Sequence, residues 1–243
     1  MVILRKSKII LITMCVILGV STFAITENNK NRTEEEKVIQ TSNIPVTNKV
    51  VIIDAGHGTP DEGAQSNNGT TEAQINLKIA LKLQNLLEQS GCKVILTRSD
   101  ENSIHELDAK TIRQKKISDV KNRVKIGNQS QADIFVSIHL NKIEHTKYQG
   151  WQCFYNTKNE QSKILSQKIQ ENLNDSIQKE NNRVVMKLDT TYVMKHVEIP
   201  ISIVECGFLS NPEEEKQLQT EEYQDRLAWG IYGGINKYFY EKE

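Results

Sequence analysis

Val50-Val51-Ile52-Ile53-Asp54-Ala55-Gly56-His57-Gly58 begins the patterned part of the chain. A continuous apolar run followed by Asp, Gly, His and Gly reads as a buried strand running into a tight loop at its carboxyl end. Outward from this stretch, strand-like and helix-like periods alternate. Thr71-Glu72-Ala73-Gln74 reads as a helix-starting box, and Ile75, Ile79, Leu83 and Leu86 recur at helical spacing until Gly91 stops the pattern. Lys93-Val94-Ile95-Leu96-Thr97 reads as a second strand. After a polar, irregular span from Arg98 to Lys116, Val120, Val124 and Ile126 begin another amphipathic helix. The third strand, Ile134-Phe135-Val136-Ser137-Ile138, again ends at a histidine, His139. Trp151 to Tyr155 reads as a strand, Gln161 to Ile177 as a helix, Ile199 to Glu205 as a strand and Asp225 to Tyr240 as a closing helix. Strands separated by helices require right-handed crossovers. The expected fold is therefore a single α/β domain, a mainly parallel central sheet with helices on both faces.

The 243 residues suffice for one domain and an appendage, and a composition of 37% apolar and 26% charged residues is that of a soluble globular chain. Lysine plus arginine and aspartate plus glutamate number 31 each, so no net field draws the protein to nucleic acid. Residues 1–26 differ from the rest. Arg5, Lys6 and Lys8 precede a mostly apolar run from Ile9 to Ile25, which reads as a signal peptide or an N-terminal membrane anchor and directs the remainder outward. Cys15 lies inside that run after Met14, and is read as an apolar side chain rather than a lipid attachment point. Residues 27–48 are polar and read as a flexible linker, since they cannot bury enough surface to offset ordering. Cys92, Cys153 and Cys206 have neither even number nor paired short spacing, which argues for packing rather than a disulfide framework or a Cys-based zinc site.

In open parallel sheets, ligands gather beyond the carboxyl ends of the strands. His57 follows the first strand, His139 ends the third, Glu205 ends a late one, and Glu72 opens a helix just past the first loop. Two imidazoles and a carboxylate suit zinc with a fourth position left for water, while a second carboxylate nearby can take a proton from that water. The constellation reads as metal-assisted hydrolysis. Taken singly, each residue has an ordinary explanation: Glu72 favours the dipole of its helix, and Glu205 could be an ion-pair partner. Yet an acid directly after Ile201, Ile203 and Val204 is costly to bury without a partner or a task. Cys206 faces the opposite side of its strand from Glu205 and is assigned to the core. His105, His145 and His196 are assigned to the surface, and Arg98 and Arg123 to internal anchoring. Trp151-Gln152-Cys153-Phe154-Tyr155 serves equally well as a sugar-stacking surface or a buried strand.

Val51 to Gly58, Glu72, Ser137-Ile138-His139-Leu140-Asn141, and Ile203-Val204-Glu205-Cys206-Gly207-Phe208-Leu209-Ser210-Asn211, in that order, resemble the zinc-dependent N-acetylmuramoyl-L-alanine amidases of the cell-wall lytic type. Thr97-Arg98-Ser99-Asp100, Arg123 with Asn128, and Ala132-Asp133-Ile134-Phe135 are similar too. The resemblance spans about Lys49 to Tyr240 and implies that residues 49–243 are a zinc amidase catalytic domain. By position it places one zinc ion on His57, Glu72 and His139 and the catalytic carboxylate on Glu205. Asp54 and Asn141, two residues from ligands, are expected to orient imidazoles or substrate. The implied reaction cuts the amide between N-acetylmuramic acid and L-alanine in peptidoglycan.

Relatives with an inserted plug helix after the segment matching Trp151 to Tyr155 differ from this chain, which passes almost directly into the helix at Gln161, and no repeated wall-binding module is visible. A minimal tethered domain of this kind is similar to the germination-specific amidases of endospore formers. The resemblance then implies a cortex role ahead of muramic-δ-lactam formation by a deacetylase, a place between the two forespore membranes, and an activating or tethering partner protein. The alternatives are a general wall autolysin, a zinc peptidase cutting within the stem, and a non-catalytic wall-binding protein.

Overall fold

The computed structural model describes residues 44–242. The signal or anchor at 1–26, and the linker as far as residue 43, lie outside the described residues. Six strands, β1 (Val50–Ala55), β2 (Lys93–Leu96), β3 (Ile134–Asn141), β4 (Gln152–Tyr155), β5 (Met186–Lys187) and β6 (Ile201–Phe208), form one sheet in the order β2-β1-β3-β6-β4-β5. β1 is parallel to β2 and β3, and β3 to β6. Only β4 runs antiparallel to its neighbour β6, so its first residues reach the rim where the parallel strands end. The mainly parallel α/β architecture expected from the alternating periods is the one observed.

The helices are α1 (Glu72–Gln89), α2 (Ile112–Gln129), α3 (Glu160–Ile177), α4 (Tyr192–His196), α5 (Pro212–Leu218) and α6 (Glu221–Tyr240). Alternate strand residues face opposite sides of a sheet, and both sides are covered. Val51, Ile53, Ile134, Val136, Val204 and Cys206 join a larger core with Ile79 and Leu83 of α1, Leu165 and Ile169 of α3, and Leu227 and Ile231 of α6. Ile52, Phe135, Ile201 and Ile203 join a smaller core with Val124 of α2 and Met194 of α4. Each fully buried large aliphatic contributes roughly 1.5–3 kcal/mol relative to exposure, which is why the strands read as continuous apolar runs. Among the described residues, no helix is long and apolar enough to cross a membrane.

Several boundaries differ from the sequence reading. Thr71 is the N-cap of α1, but its hydroxyl makes no capping bond and is buried without a partner. The first N–H groups of the helix are satisfied instead by the preceding loop, with Glu72 N donating to Ala64 O at 2.8 Å and Ala73 N to Glu62 O at 3.1 Å. α2 starts at Ile112, inside the span read as irregular, behind a capping box in which Thr111 and Gln114 bond reciprocally. Its opening turns are exposed, Ile112 and Ile117 included, so no apolar stripe marks them. Val46 belongs by composition to the polar linker, yet it is buried in the larger core, and the Thr47 hydroxyl donates to Ser90 O at 3.0 Å. Between β4 and α3 the chain spans only Asn156–Asn159, leaving no inserted helix there.

Candidate metal centre and active site

Beyond β1 the chain makes a tight loop whose carbonyls are held from inside by two buried guanidinium groups. Arg98 donates to Ala55 O at 2.8 Å, Gly56 O at 3.0 Å and Ala73 O at 2.8 Å. Arg123, reaching up from α2, donates to Ala55 O and His57 O and pairs with Asp54 and Asp119. Both arginines are thus internal anchors, as the sequence reading expected, although Arg98 meets Asp100 through its backbone carbonyl. Held in this way, His57 sits at φ 62, a left-handed conformation uncommon for a residue with a Cβ. A reciprocal backbone bridge between Gly58 and Asp61, at 3.0 and 2.8 Å, folds the loop back on itself. That fold places Asp61 Oδ2 at 3.1 Å from His57 Nδ1. With Nδ1–H donating to Asp61, Nε2 points inward, where Glu72 Oε1 lies at 3.3 Å.

Glu72 is the first residue of α1, and its carboxylate is fixed at both oxygens. Oε2 accepts from Ala64 N at 2.8 Å and Oε1 from Leu140 N at 3.1 Å. His139, on β3, brings Nδ1 to 2.9 Å from the same Oε1. One ligand-type atom from each of His57, Glu72 and His139 therefore lies within 4.8 Å of the others. Two glycines permit this crowding. A Cβ on Gly56 would stand 2.3 Å from the His139 ring, and one on Gly63, whose φ is +70, would stand 2.6 Å from Glu72 Oε2. Burial opposes charging of His57, but Asp61 and Glu72 push it up to about 9. Burial likewise opposes ionisation of Glu72, yet the two imidazoles hold its carboxyl far below the usual range. In a metal-free site these groups hold a proton that a divalent cation would displace. Donor set, convergence and burial all fit a zinc ion.

Glu205 is the register partner of His139 across the β3–β6 pair, and alternation puts its side chain on the same face as Ser137 and Ile203. Its Oε2 is buried with no hydrogen-bond partner. Burial is the main cause that pushes its carboxyl up to about 7, with Glu72 adding and the two imidazoles opposing. Glu205, His57 and His139 open on one cavity of about 180 Å³, walled by Leu188, Val193 and Ile203 and edged by Asp61, Lys116 and Tyr192. A larger cavity of about 720 Å³ lies between α1, α3 and α6 beside Trp229, but it holds no histidine, and of its two carboxylates Asp225 is already paired with Lys82 at 2.7 Å. Chemistry, not size, marks the site.

Among the described residues neither Asp54 nor Asn141 hydrogen-bonds an imidazole through its side chain, although Asp54 lines the same cavity. Asp54 accepts from Thr97 at 2.7 Å and from Ser137 and Arg123, so it reaches His57 only through Arg123. No hydrogen bond involves the Asn141 side chain among the described residues; its carbonyl accepts from Leu209 N at 2.8 Å. The group that does hold an imidazole is Asp61, which the sequence reading passed over. Its only signal is that it is the first acid after His57, and the loop that returns it is not periodic. Tyr192 and Val193, also unanticipated, come from the short α4. Cys206 is buried on the opposite face, in the larger core. Trp151 is buried with its indole N–H on Asn174, so this segment is a core strand rather than a stacking surface.

Residues 51–237 match the family model described as N-acetylmuramoyl-L-alanine amidase. The chain is 35% identical over 199 residues to the germination-specific N-acetylmuramoyl-L-alanine amidase of Bacillus subtilis, covering 82% of this chain and 83% of that protein. It is 30% identical over 197 residues to the amidase LytC of the same organism, covering 80% of this chain and 36% of LytC. Among solved structures, it is similar to the CwlD amidase from Clostridioides difficile in complex with the GerS lipoprotein, with a TM-score of 0.78 and 48% identity over 80% of this chain and 100% of that one. An N-acetylmuramoyl-L-alanine amidase from the same species superposes with a TM-score of 0.71 at 31% identity, covering 81% of this chain and all of the other.

Proposed function

The chain belongs to the N-acetylmuramoyl-L-alanine amidase family, and from that premise we propose that it hydrolyses the amide joining N-acetylmuramic acid to L-alanine with zinc held by His57, Glu72 and His139 and with Glu205 as the proton-transferring group. The single observation that carries the mechanism is the buried carboxyl of Glu205, unpartnered at Oε2, raised to about 7 and opening on the same cavity as the two histidines. His57 would offer Nε2 and His139 Nδ1, with Asp61 fixing the tautomer of the first. When bound, zinc supplies a Lewis acid that polarises the scissile carbonyl and makes water a nucleophile near neutral pH.

Glu205 accepts the proton of the attacking water at its carboxylate and returns it to the leaving nitrogen of L-alanine, one group acting as base and then acid. A carboxyl that burial raises above the ordinary glutamate range is suited to giving the proton back as well as taking it. Leu188, Val193 and Ile203 keep bulk water from the carboxyl and preserve its raised pKa. Glu205→Gln in the full chain is expected to retain zinc and lose hydrolysis, whereas His139→Ala loses both. Full activity in the first variant, or full zinc content in the second, contradicts the assignments.

Likeness to the germination-specific enzyme supports a role in the spore cortex, acting outside the cytoplasm and ahead of the deacetylase that completes muramic-δ-lactam. The apolar run before the domain supports attachment to, or passage across, a membrane into the space between the forespore membranes. CwlD is solved with a lipoprotein, and by extension we assign this chain a partner protein of that kind.

A further inference from the structure

β4 is antiparallel to β6, and Gln152, its first residue, is the register partner of Glu205. The edge of the catalytic rim therefore continues onto β4. There the Gln152 amide meets Arg183, whose Nη1 lies at 3.4 Å from Gln152 Oε1 and whose Nε lies at 3.4 Å from Gln149 O. The half-buried guanidinium lies over two rings, 4.7 Å from the centre of Phe208 and 6.0 Å from that of Tyr148. Among the described residues no carboxylate comes within 4.0 Å of it, in contrast to Arg123 and Arg226, each of which is paired. Lys147 adds a second cation to the Tyr148 ring at 5.3 Å. Arg183 thus has five N–H donors, only two of them used, both at the long end of hydrogen-bonding distance. The rings restrain the plane of the guanidinium while leaving its edge free, and that edge matches a carboxylate in two parallel bonds.

We propose that Arg183, restrained by Phe208 and Tyr148 beside the strand partner of Glu205, receives a carboxylate of the substrate's stem peptide. The inference rests on the amidase reading and deepens it. With the scissile amide at Glu205, the peptide beyond L-alanine has to leave along the rim. Neighbouring strands lie ~4.8 Å apart and an extended residue spans ~3.3–3.6 Å, so the second stem residue can reach the Arg183 side of β6. In peptidoglycan that residue is a D-glutamate linked through its side chain, which leaves its α-carboxyl free or amidated. Arg183 would then distinguish the two forms.

The test is calorimetric binding of the tripeptide L-alanyl-γ-D-glutamyl-L-lysine, and of its counterpart amidated at the glutamate α-carboxyl, to the zinc-loaded full chain. Binding needs no turnover, so failure of the amidase reading, seen in the mass of wall digestion products, is distinguished from failure of this site. The wild type is expected to bind the acid form about tenfold more tightly than the amide, the order of one charge-assisted pair. Arg183→Gln abolishes that preference at unchanged zinc content and melting temperature, and Arg183→Lys keeps part of it. In turnover, Arg183→Gln raises KM for the acid substrate and leaves kcat in place. Absent binding of the acid tripeptide, equal wild-type affinity for both forms, or equal weakening of both by Arg183→Gln overturns the proposal.

Discussion

Asp61 shows how one side chain sets the chemistry of another. Its carboxylate takes the Nδ1–H of His57 and is held in turn by Lys116 at 3.0 Å, so the imidazole presents Nε2 to the site. Partners of this kind orient a ligand and raise its basicity, and their loss costs roughly 10–100-fold in metal affinity. Asp61→Asn is expected to weaken zinc binding by that factor in a chelator competition while the melting temperature of the metal-free protein changes little; unaltered affinity refutes the role. Periodicity places His57, Glu72, His139 and Glu205 at strand ends or a helix start, and only their order in motifs resembling the amidases singles them out. The structure brings donor atoms of the first three within 4.8 Å of one another and opens Glu205 on the same cavity as both histidines. Asp61 was not legible, because a hydrogen bond across a non-periodic loop leaves no trace in spacing. Asp54 shares the sheet face of His139 and Glu205 and lines the same cavity, but its hydrogen bonds go to Arg123, Thr97 and Ser137 rather than to an imidazole.

At the scale of elements, two of the threonine N-caps, Thr71 and Thr111, make a matched pair. Thr111 closes a capping box with Gln114, and Thr111→Ala should cost about 1 kcal/mol in urea unfolding. Thr71 makes no such bond, and its hydroxyl is buried unpaired, so Thr71→Val should be neutral or slightly stabilising. An equal loss at both positions would contradict this contrast. The same comparison explains what the sequence conceals. A Thr-x-x-Gln spacing occurs at both starts, and only the tertiary position of the 62–64 loop decides that α1 takes its caps from backbone carbonyls. Long elements with a buried stripe, such as α1, α3 and α6, declare themselves through apolar spacing. β5, α4 and α5 are too short to show a period, yet α4 supplies the Tyr192 and Val193 wall of the cavity and α5 supplies Glu215, which holds Asn68 and Thr70 of the loop before Glu72.

For the molecule as a whole, the buried Asp54–Arg123 pair ties the sheet to α2 beneath the site. Burial alone would raise the Asp54 carboxyl, but Arg123 and the hydroxyls of Ser137 and Thr97 hold it below the usual carboxylate range. Its pKa is therefore lower folded than unfolded, so the native state binds fewer protons and stability rises with pH across that interval. The contribution is fully present above about 3.9, the ordinary value for aspartate, and is lost as pH falls through the depressed folded value. Unfolding by urea between pH 7 and pH 3 should show a steeper loss in the wild type than in Asp54→Asn, which itself is expected to be less stable at pH 7 by about 3–5 kcal/mol because Arg123 loses a buried partner. Parallel slopes would remove Asp54 from this role. The central claim, a zinc amidase acting on the lactyl-alanine bond, is tested most directly by mass spectrometry of peptidoglycan digested by the purified protein with zinc restored, with a chelated sample alongside. Intact stem peptides beginning at L-alanine, released only when zinc is present, are the predicted result; fragments cut within the stem, or release undiminished by the chelator, would contradict it.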